Sequence, residues 1–283
     1  MDDNAGRGRA AWPWRVMATA AAAAVVLGGC GSGDDDKAAE PSPSASSRSA
    51  TPTASGSPSS SSSAGGDATS LTPFQADPAQ VPKTKPQAEA LAAAVALKPE
   101  AWGADFRAQQ PAASAPGTAA VLDEQCRWER RSLPQGVLAS LSRYSELPGT
   151  TGKGEIKVTA AVTVHATVLD ADDQLSTTLE EPLRCREQQV RTDERISGLM
   201  STGTPYGQGE NTYSDDQVVE IGSYLTGTAK QSYFWFVTRL GTVTLAVSVK
   251  GAKGYTDSEL NRFGSQATST MLSRVEFELG GKN

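Results

Sequence analysis

The side chains that most often carry metal or nucleophilic chemistry are few in this sequence. The 283 residues contain one histidine and three cysteines. A single histidine excludes sites that need two imidazoles, and three cysteines are too few for a four-thiolate zinc site or a cysteine-ligated iron–sulfur cluster. No nucleotide-binding loop is present either. We therefore expect no bound metal and no cofactor.

His165 is the imidazole on which any catalytic triad would depend. It lies in an alternating run, with Thr163 and Thr167 as its neighbours on the polar face. The sequence has no Gly-x-Ser-x-Gly elbow that would position a serine nucleophile. This pattern predicts a solvent-facing strand histidine, and we assign no catalytic residue.

A cluster of acids follows this run at Asp170, Asp172 and Asp173. Calcium needs six to eight oxygen ligands, and the loop pattern that supplies them is missing. Acidic residues are favourable in the first turn of a helix because they interact with its dipole. We interpret Asp170 as the N-cap of a helix over 171–181 and not as a metal ligand.

The amino terminus has the features of a secretory signal. Three arginines precede an apolar run from Val16 to Leu27. Such a run forms about 18 Å of helix, which is too short for a hydrocarbon core of about 30 Å. We therefore predict a cleaved signal peptide over residues 1–29.

The sequence Leu27-Gly28-Gly29-Cys30 resembles the lipobox of bacterial lipoproteins, as found in high-GC Gram-positive bacteria. The resemblance implies cleavage before Cys30, a diacylglyceryl group on its thiol, and fatty acids such as palmitate as the acyl chains. Two buried acyl chains hold a protein stably at a membrane. We therefore expect lipid anchoring through Cys30 at the outer face of the cytoplasmic membrane.

The composition changes sharply after Cys30. Residues 31–70 contain 14 Ser, 4 Pro and 5 Gly, and they include no aromatic residue and no Val, Ile, Leu or Met. Such a segment cannot bury enough apolar surface to offset its conformational entropy. We predict a disordered tether over 30–84 and a single extracytoplasmic domain over 85–283.

Two cysteines remain for this domain, Cys126 and Cys185. A leftover pair in an exported protein predicts a disulfide, and two free buried thiols are the alternative. The pair is not a Cys-x-x-Cys redox motif.

The domain is predicted to be α+β, an antiparallel sheet with helices packed on one face. The clearest strand signal is period-two alternation over 155–169. Further strands are predicted over 218–224, 233–237 and 243–249, and helices over 86–97, 171–181 and 257–274. With two further strands predicted at about 125–131 and 137–144, the order also allows a βββα pseudo-repeat, in which three strands are followed by a helix twice over.

A long connection over 201–216 carries Tyr206, Glu210, Asn211 and Tyr213. Long loops on rigid sheets often bind ligands, so these four residues form a candidate binding loop for a peptide or glycan. A mobile surface insertion is the alternative. The net charge of −6 argues against a nucleic-acid partner.

The Cys126-Arg127-Trp128 strand start and the later Leu183-Arg184-Cys185 resemble extracytoplasmic sensor domains of actinobacterial serine/threonine kinases. Those domains commonly carry two disulfides, whereas this chain offers one pair. The resemblance implies a non-catalytic sensor or adaptor that binds a ligand, an envelope protein or a glycan. The alternative is a wall-associated hydrolase that uses carboxylates, with Asp215, Asp216 and Glu220 as candidates.

Overall fold

The computed structural model describes residues 73–280. The signal segment, Cys30 and the tether up to residue 72 therefore lie outside the described residues. The helices are α1 (Lys85–Val95), α2 (Val168–Arg184) and α3 (Asp257–Glu278). The strands are β1 (Arg107–Ala113), β2 (Thr118–Leu122), β3 (Trp128–Ser132), β4 (Val137–Leu147), β5 (Ile156–His165), β6 (Glu187–Arg191), β7 (Glu194–Pro205), β8 (Asp216–Thr226), β9 (Ala229–Leu240) and β10 (Val243–Lys250).

Eight of these strands form one curled antiparallel sheet. Its strand order is β1-β4-β5-β10-β9-β8-β7-β6, while β2 and β3 form a separate hairpin. The predicted α+β class with an antiparallel sheet is therefore confirmed.

The helices lie on both faces of the sheet, and β9 shows how they are divided. Phe234 and Phe236 belong to the large core that also contains α1 and α3. Trp235 and Val237 point the other way and pack near Leu175 of α2. The prediction of helices on one face thus describes α1 and α3, whereas α2 lies on the opposite, concave face. The Tyr233–Val237 run is apolar on both faces because both are covered.

The β2–β3 hairpin spans the open side of the concave face. At one edge, the backbone N–H of Gln189 in β6 donates to the carbonyl of Cys126 at 2.8 Å. At the other edge, Arg130 donates to Ser142 Oγ in β4 at 3.1 Å. The predicted disulfide is confirmed, and it joins Cys126 before β3 to Cys185 after α2 with 5.5 Å between Cα atoms.

Several element boundaries differ from those predicted. The strand predicted over 155–169 ends at His165, and α2 begins at Val168. Thr167, not Asp170, is the N-cap, because the Thr167 hydroxyl accepts from the backbone N–H of Asp170. The helix predicted to end at residue 181 continues to Arg184, and Pro182 lies inside its last turn.

The predicted βββα order is wrong in the number of strands. In the described part of the chain five strands precede α2, and five more lie between α2 and α3. The missed strands include β1 and β6, which are mostly polar or exposed and so lack an alternating apolar signal.

The folded part also begins before the predicted boundary at residue 85. Phe74 and Ala76 pack against the large core, and the backbone N–H of Asp77 donates to the carbonyl of Leu279 at 3.0 Å. Residues 73–84 therefore belong to the domain and not to the tether.

Candidate functional site

The concave face of the sheet, α2 and the β2–β3 hairpin enclose a cavity of about 680 Å³. Ligand sites for small molecules typically have volumes of about 300–1,000 Å³. The sheet forms the floor, α2 covers one side, and the hairpin covers the other. The cavity is therefore a candidate ligand site on the basis of its size and of the three elements that line it.

The floor is built from the polar or small faces of β5 and β10, whose other faces are buried in the core. Ala161 and Ala246 are directly opposite one another in the ladder and leave open space above them. Hydroxyl groups flank this small-residue centre, from Thr159 and Ser248 on one side and from Thr163 and Thr244 on the other. This floor accepts both apolar groups and hydrogen-bonding groups.

Two tryptophans form an aromatic wall. Trp128 of the hairpin and Trp235 of β9 meet edge to face, with ring centroids 5.5 Å apart. The Trp128 indole N–H donates to Gln188 Oε1 at 2.8 Å, which fixes the orientation of the ring. Both tryptophans line the cavity and remain half-buried, so they combine packing with a surface that a ligand can contact.

Cationic side chains close one end of the cavity. Lys157 Nζ and Lys250 Nζ lie 2.9 and 3.0 Å from the carboxylate oxygens of Glu194, and Arg191 lies 3.2 Å away. Burial acts to raise the pKa of Glu194, but Lys250 and Lys157 outweigh it and hold the pKa at about 2. Burial lowers the pKa of Lys250, against the opposing effect of Glu194.

His165 lies at the other end and is buried, with 2% of its surface exposed, which corrects the solvent-facing position predicted for it. Its Nε2 is 2.8 Å from Gln174 Oε1 and 3.2 Å from Thr244 Oγ1. Burial lowers the pKa of His165. Gln174 of α2 contacts His165, so the polar face that the sequence pattern assigned to solvent lines a cavity beneath α2 instead.

A carboxyl pair is formed by Glu181 of α2, which is half-buried and lines this cavity, and Glu220 of β8, which is fully buried and does not line it. Burial raises the pKa of Glu220 to about 7, and Ser201 donates to its Oε1 at 2.8 Å. Burial and the charge of Glu220 raise the pKa of Glu181 to about 8. Within residues 73–280, the second oxygen of each carboxyl has no hydrogen-bond partner. The pKa values of both carboxyl groups are thus raised into the neutral range, that of Glu181 further than that of Glu220.

The candidate binding loop is a hairpin connection between β7 and β8, shorter than the predicted range because Ser201–Pro205 belong to β7. Asn211 is buried: it donates to the Thr204 carbonyl at 2.8 Å and accepts from Ser214. Tyr213 is 46% exposed and its hydroxyl donates to Gln217. Asn211 therefore has a structural role.

The other two residues of this loop differ in exposure. Glu210 is exposed and Tyr206 is half-buried. Of the described residues that line the cavity, none belongs to 206–215. Binding by this loop stays a prediction, and it would involve a surface separate from the cavity.

The three acids considered for a hydrolase do not converge. Asp215 binds Arg239 and the Gly241 N–H, and Asp216 accepts from the Gln217 N–H. Asp216 and Glu220 are four residues apart on β8, so their Cα atoms are about 13 Å apart. Among the described residues, none of these three acids lines the cavity.

Sequence reasoning missed the cavity and the cationic end. Lys157 and Lys250 were visible as polar residues in strands, but their convergence on Glu194 depends on the curl of the sheet. The Trp128–Trp235 contact depends on the hairpin, and the disulfide at Cys126 was the available signal that this segment lies near α2.

Comparison with known proteins does not identify a family or a function for this chain. No protein-family model matches the chain, and no curated protein matches its sequence. Human StAR-related lipid transfer protein 5 aligns with 56% of this chain and 86% of its own chain, at 13% identity and a TM-score of 0.18. A similarity at that TM-score carries no argument about fold or function.

Two further features concern membranes and metals. Among the helices of residues 73–280, none is long and apolar enough to cross a membrane. The same residues contain no cluster of three or more His, Cys, Asp or Glu side chains that could hold a metal ion.

Proposed function

We propose that this protein is a membrane-anchored envelope lipoprotein whose domain binds a ligand without catalysis, as a sensor or adaptor. The lipobox at Leu27–Cys30 supports the anchor. The observation that supports ligand binding is the half-open cavity of about 680 Å³ between the sheet, α2 and the hairpin.

The lining favours an amphipathic ligand. Trp128, Trp235, Ala161 and Ala246 offer apolar contact, while threonine and serine hydroxyls line the floor between them. Ligand sites typically combine a mostly apolar lining with a few placed polar groups. A wholly polar ligand would leave the tryptophan faces without a matching surface, and a wholly apolar one would bury hydroxyls without partners.

The polar groups in the cavity favour binding over reaction. His165 is held by Gln174 and Thr244, and the two lysines are held by Glu194. A nucleophile within hydrogen-bond reach of a base is the arrangement that covalent catalysis needs. The Thr244 hydroxyl lies 3.2 Å from His165 Nε2, but Gln174 holds the same nitrogen at 2.8 Å. Within residues 73–280, the other ring nitrogen of His165 has no partner that would orient it as a base.

The test fills the cavity with larger side chains. Ala161→Phe and Ala246→Phe project into open space from positions that are half-buried, so we expect both variants to fold. The probe is N-phenyl-1-naphthylamine, an uncharged fluorophore with apolar rings and one N–H donor, added to the full-length chain carrying Cys30→Ser. We expect saturable binding at one site, weakened at least tenfold by either substitution.

The matched control is Ala229→Phe, which adds the same ring at the exposed first residue of β9, directly after the turn from β8. This variant should bind the probe like the parent chain. If the parent chain shows no saturable binding, or if the two cavity variants bind as well as the control, the proposal is wrong.

A further inference from the structure

We infer that the ligand carries an anionic group, a carboxylate or a phosphate, which binds at the end of the cavity closed by Lys157, Arg191 and Lys250. This inference rests on the proposed function and specifies the ligand class of that same cavity. Three observations support it: the excess of positive charge at this end, the burial of the cationic side chains, and the opposite charge at the other end of the cavity.

The charges at this end do not balance. In the described part of the chain, Lys157, Arg191 and Lys250 share one close carboxylate, that of Glu194. A second acid, Glu155, lies 4.0 Å from Lys157, and its side chain is 39% exposed. Even with Glu155 counted, one positive charge remains in excess.

This excess charge faces the cavity and is partly removed from water. Lys157, Arg191 and Lys250 all line the cavity, whereas Glu194 does not. The side chain of Lys250 is 12% exposed and that of Lys157 is 26% exposed. Cations that are shielded from water interact strongly with an anion that can hydrogen-bond to them. An anionic group that enters the cavity would complete the partial ion pairing at this end.

The opposite end has the opposite charge, which sets the orientation of the ligand. Lys157 and His165 are eight residues apart on β5, about 26 Å along the strand. Beyond His165 the cavity is lined by Asp170 and Asp173. Those carboxylates disfavour an anion at that end. The anionic group therefore lies against Lys157 and Lys250, and the apolar part extends past Trp235 toward α2.

The experiment compares three probes with the same twelve-carbon chain: dodecanoate, dodecyl phosphate and dodecanol. Each is titrated calorimetrically, below its micelle concentration, into the full-length chain carrying Cys30→Ser. We expect at least one anionic probe to bind about tenfold or more tightly than dodecanol. The two anionic arms distinguish a carboxylate headgroup from a phosphate headgroup.

The variant is Lys157→Gln with Arg191→Gln, which leaves the more buried Lys250 paired with Glu194. We expect this double variant to lose the preference for anions while its dodecanol affinity stays within about twofold of the parent. Lys230→Gln, at an exposed position near the start of β9, is the matched control and should keep the preference.

Two negative results have different meanings. If dodecanol binds as tightly as both anions in the parent chain, or if the double variant keeps the preference, the inference is overturned and the proposed function stands. If none of the three probes binds, the proposed function fails, and the inference fails with it. A melting curve for each variant confirms that the folded protein was titrated.

Discussion

Lys157 Nζ lies 2.9 Å from Glu194 Oε1, although β5 and β7 are four strands apart in the sheet. In a flat sheet four strand spacings amount to about 19 Å. The two strands can make this contact because the sheet curls strongly, and the same curl creates the concave face. Lys250 of β10 reaches the same carboxylate, so one residue of β7 joins two strands across the cavity.

Glu194→Gln should destabilise the domain by about 3 kcal/mol, because removal of one partner leaves buried cations uncompensated. The side chain of Glu194 is 4% exposed. The measurement is urea unfolding at pH 7. Glu155→Gln is the matched control, since that more exposed carboxylate lies 4.0 Å from Lys157 and should change the free energy of unfolding by less than about 0.5 kcal/mol.

The low pKa of Glu194 predicts a loss of stability in acid. The pKa of Glu194 is about 2 in the folded protein, below its ordinary value of 4.5. Its contribution is therefore complete above about pH 4.5 and is lost as the pH falls toward 2. Glu194→Gln should show a flatter pH profile in this window. An equally steep profile in the variant would contradict this assignment.

The core elements were predictable because local patterns determine them. The Thr256–Glu259 capping box begins α3 where predicted, and the alternation around Val162 and Val164 identified β5. The cavity was not predictable, because it depends on contacts distant in sequence. A polar strand face has the same pattern whether it meets water or a cavity, and for this reason the burial of His165 was missed.

Glu220→Gln should stabilise the protein at alkaline pH. The folded pKa of Glu220 is about 7, above its ordinary value of 4.5. A raised carboxyl pKa gives stability that is complete below about pH 4.5 and is lost as the pH rises through 7. At pH 8.5 the neutral amide avoids burying a charge, so we expect a gain on the order of 2 kcal/mol.

Urea unfolding at pH 5 and pH 8.5 tests this expectation. At pH 5 the variant should resemble the parent chain, and at pH 8.5 it should be more stable. Glu210→Gln, in the exposed part of the neighbouring loop, is the control and should match the parent at both pH values. If Glu220→Gln is destabilising at both pH values, Glu220 acts as an ionised hydrogen-bond acceptor instead.

Removal of the Cys126–Cys185 disulfide should lower the free energy of unfolding by about 4 kcal/mol. The bond closes a loop with a sequence separation of 59, and cross-links of that span restrict the unfolded chain by about this amount in the chain-entropy model. The double variant Cys126→Ser with Cys185→Ser avoids a free thiol. A change below about 1 kcal/mol in urea unfolding would contradict the prediction.

The lipid anchor predicted from the lipobox has its own test. Cys30→Ser removes the thiol that would carry the diacylglyceryl group, and residues 31–70 contain no apolar segment to replace it. We expect the variant to move from the membrane fraction to the soluble fraction, with an intact-mass change equal to the lost lipid. Gly28→Ala keeps a small residue before the cysteine and should remain anchored. A Cys30→Ser protein that stays in the membrane fraction refutes lipidation.

Two residues of the loop between β7 and β8 have different expected roles: Asn211 is structural, and Tyr213 is a candidate for binding. Asn211→Ala should cost about 1–3 kcal/mol, because the half-buried Thr204 carbonyl and the buried Ser214 would lose their partner. Tyr213→Ala should change stability by about 0.5 kcal/mol or less, since that side chain is half exposed. If this loop binds an envelope partner, Tyr213→Ala should abolish capture of that partner in a crosslinked envelope pull-down while the protein melts normally. A Tyr213→Ala protein that melts normally and captures the same partners as the parent chain would show that the loop is a passive connection, and binding would then belong to the cavity alone.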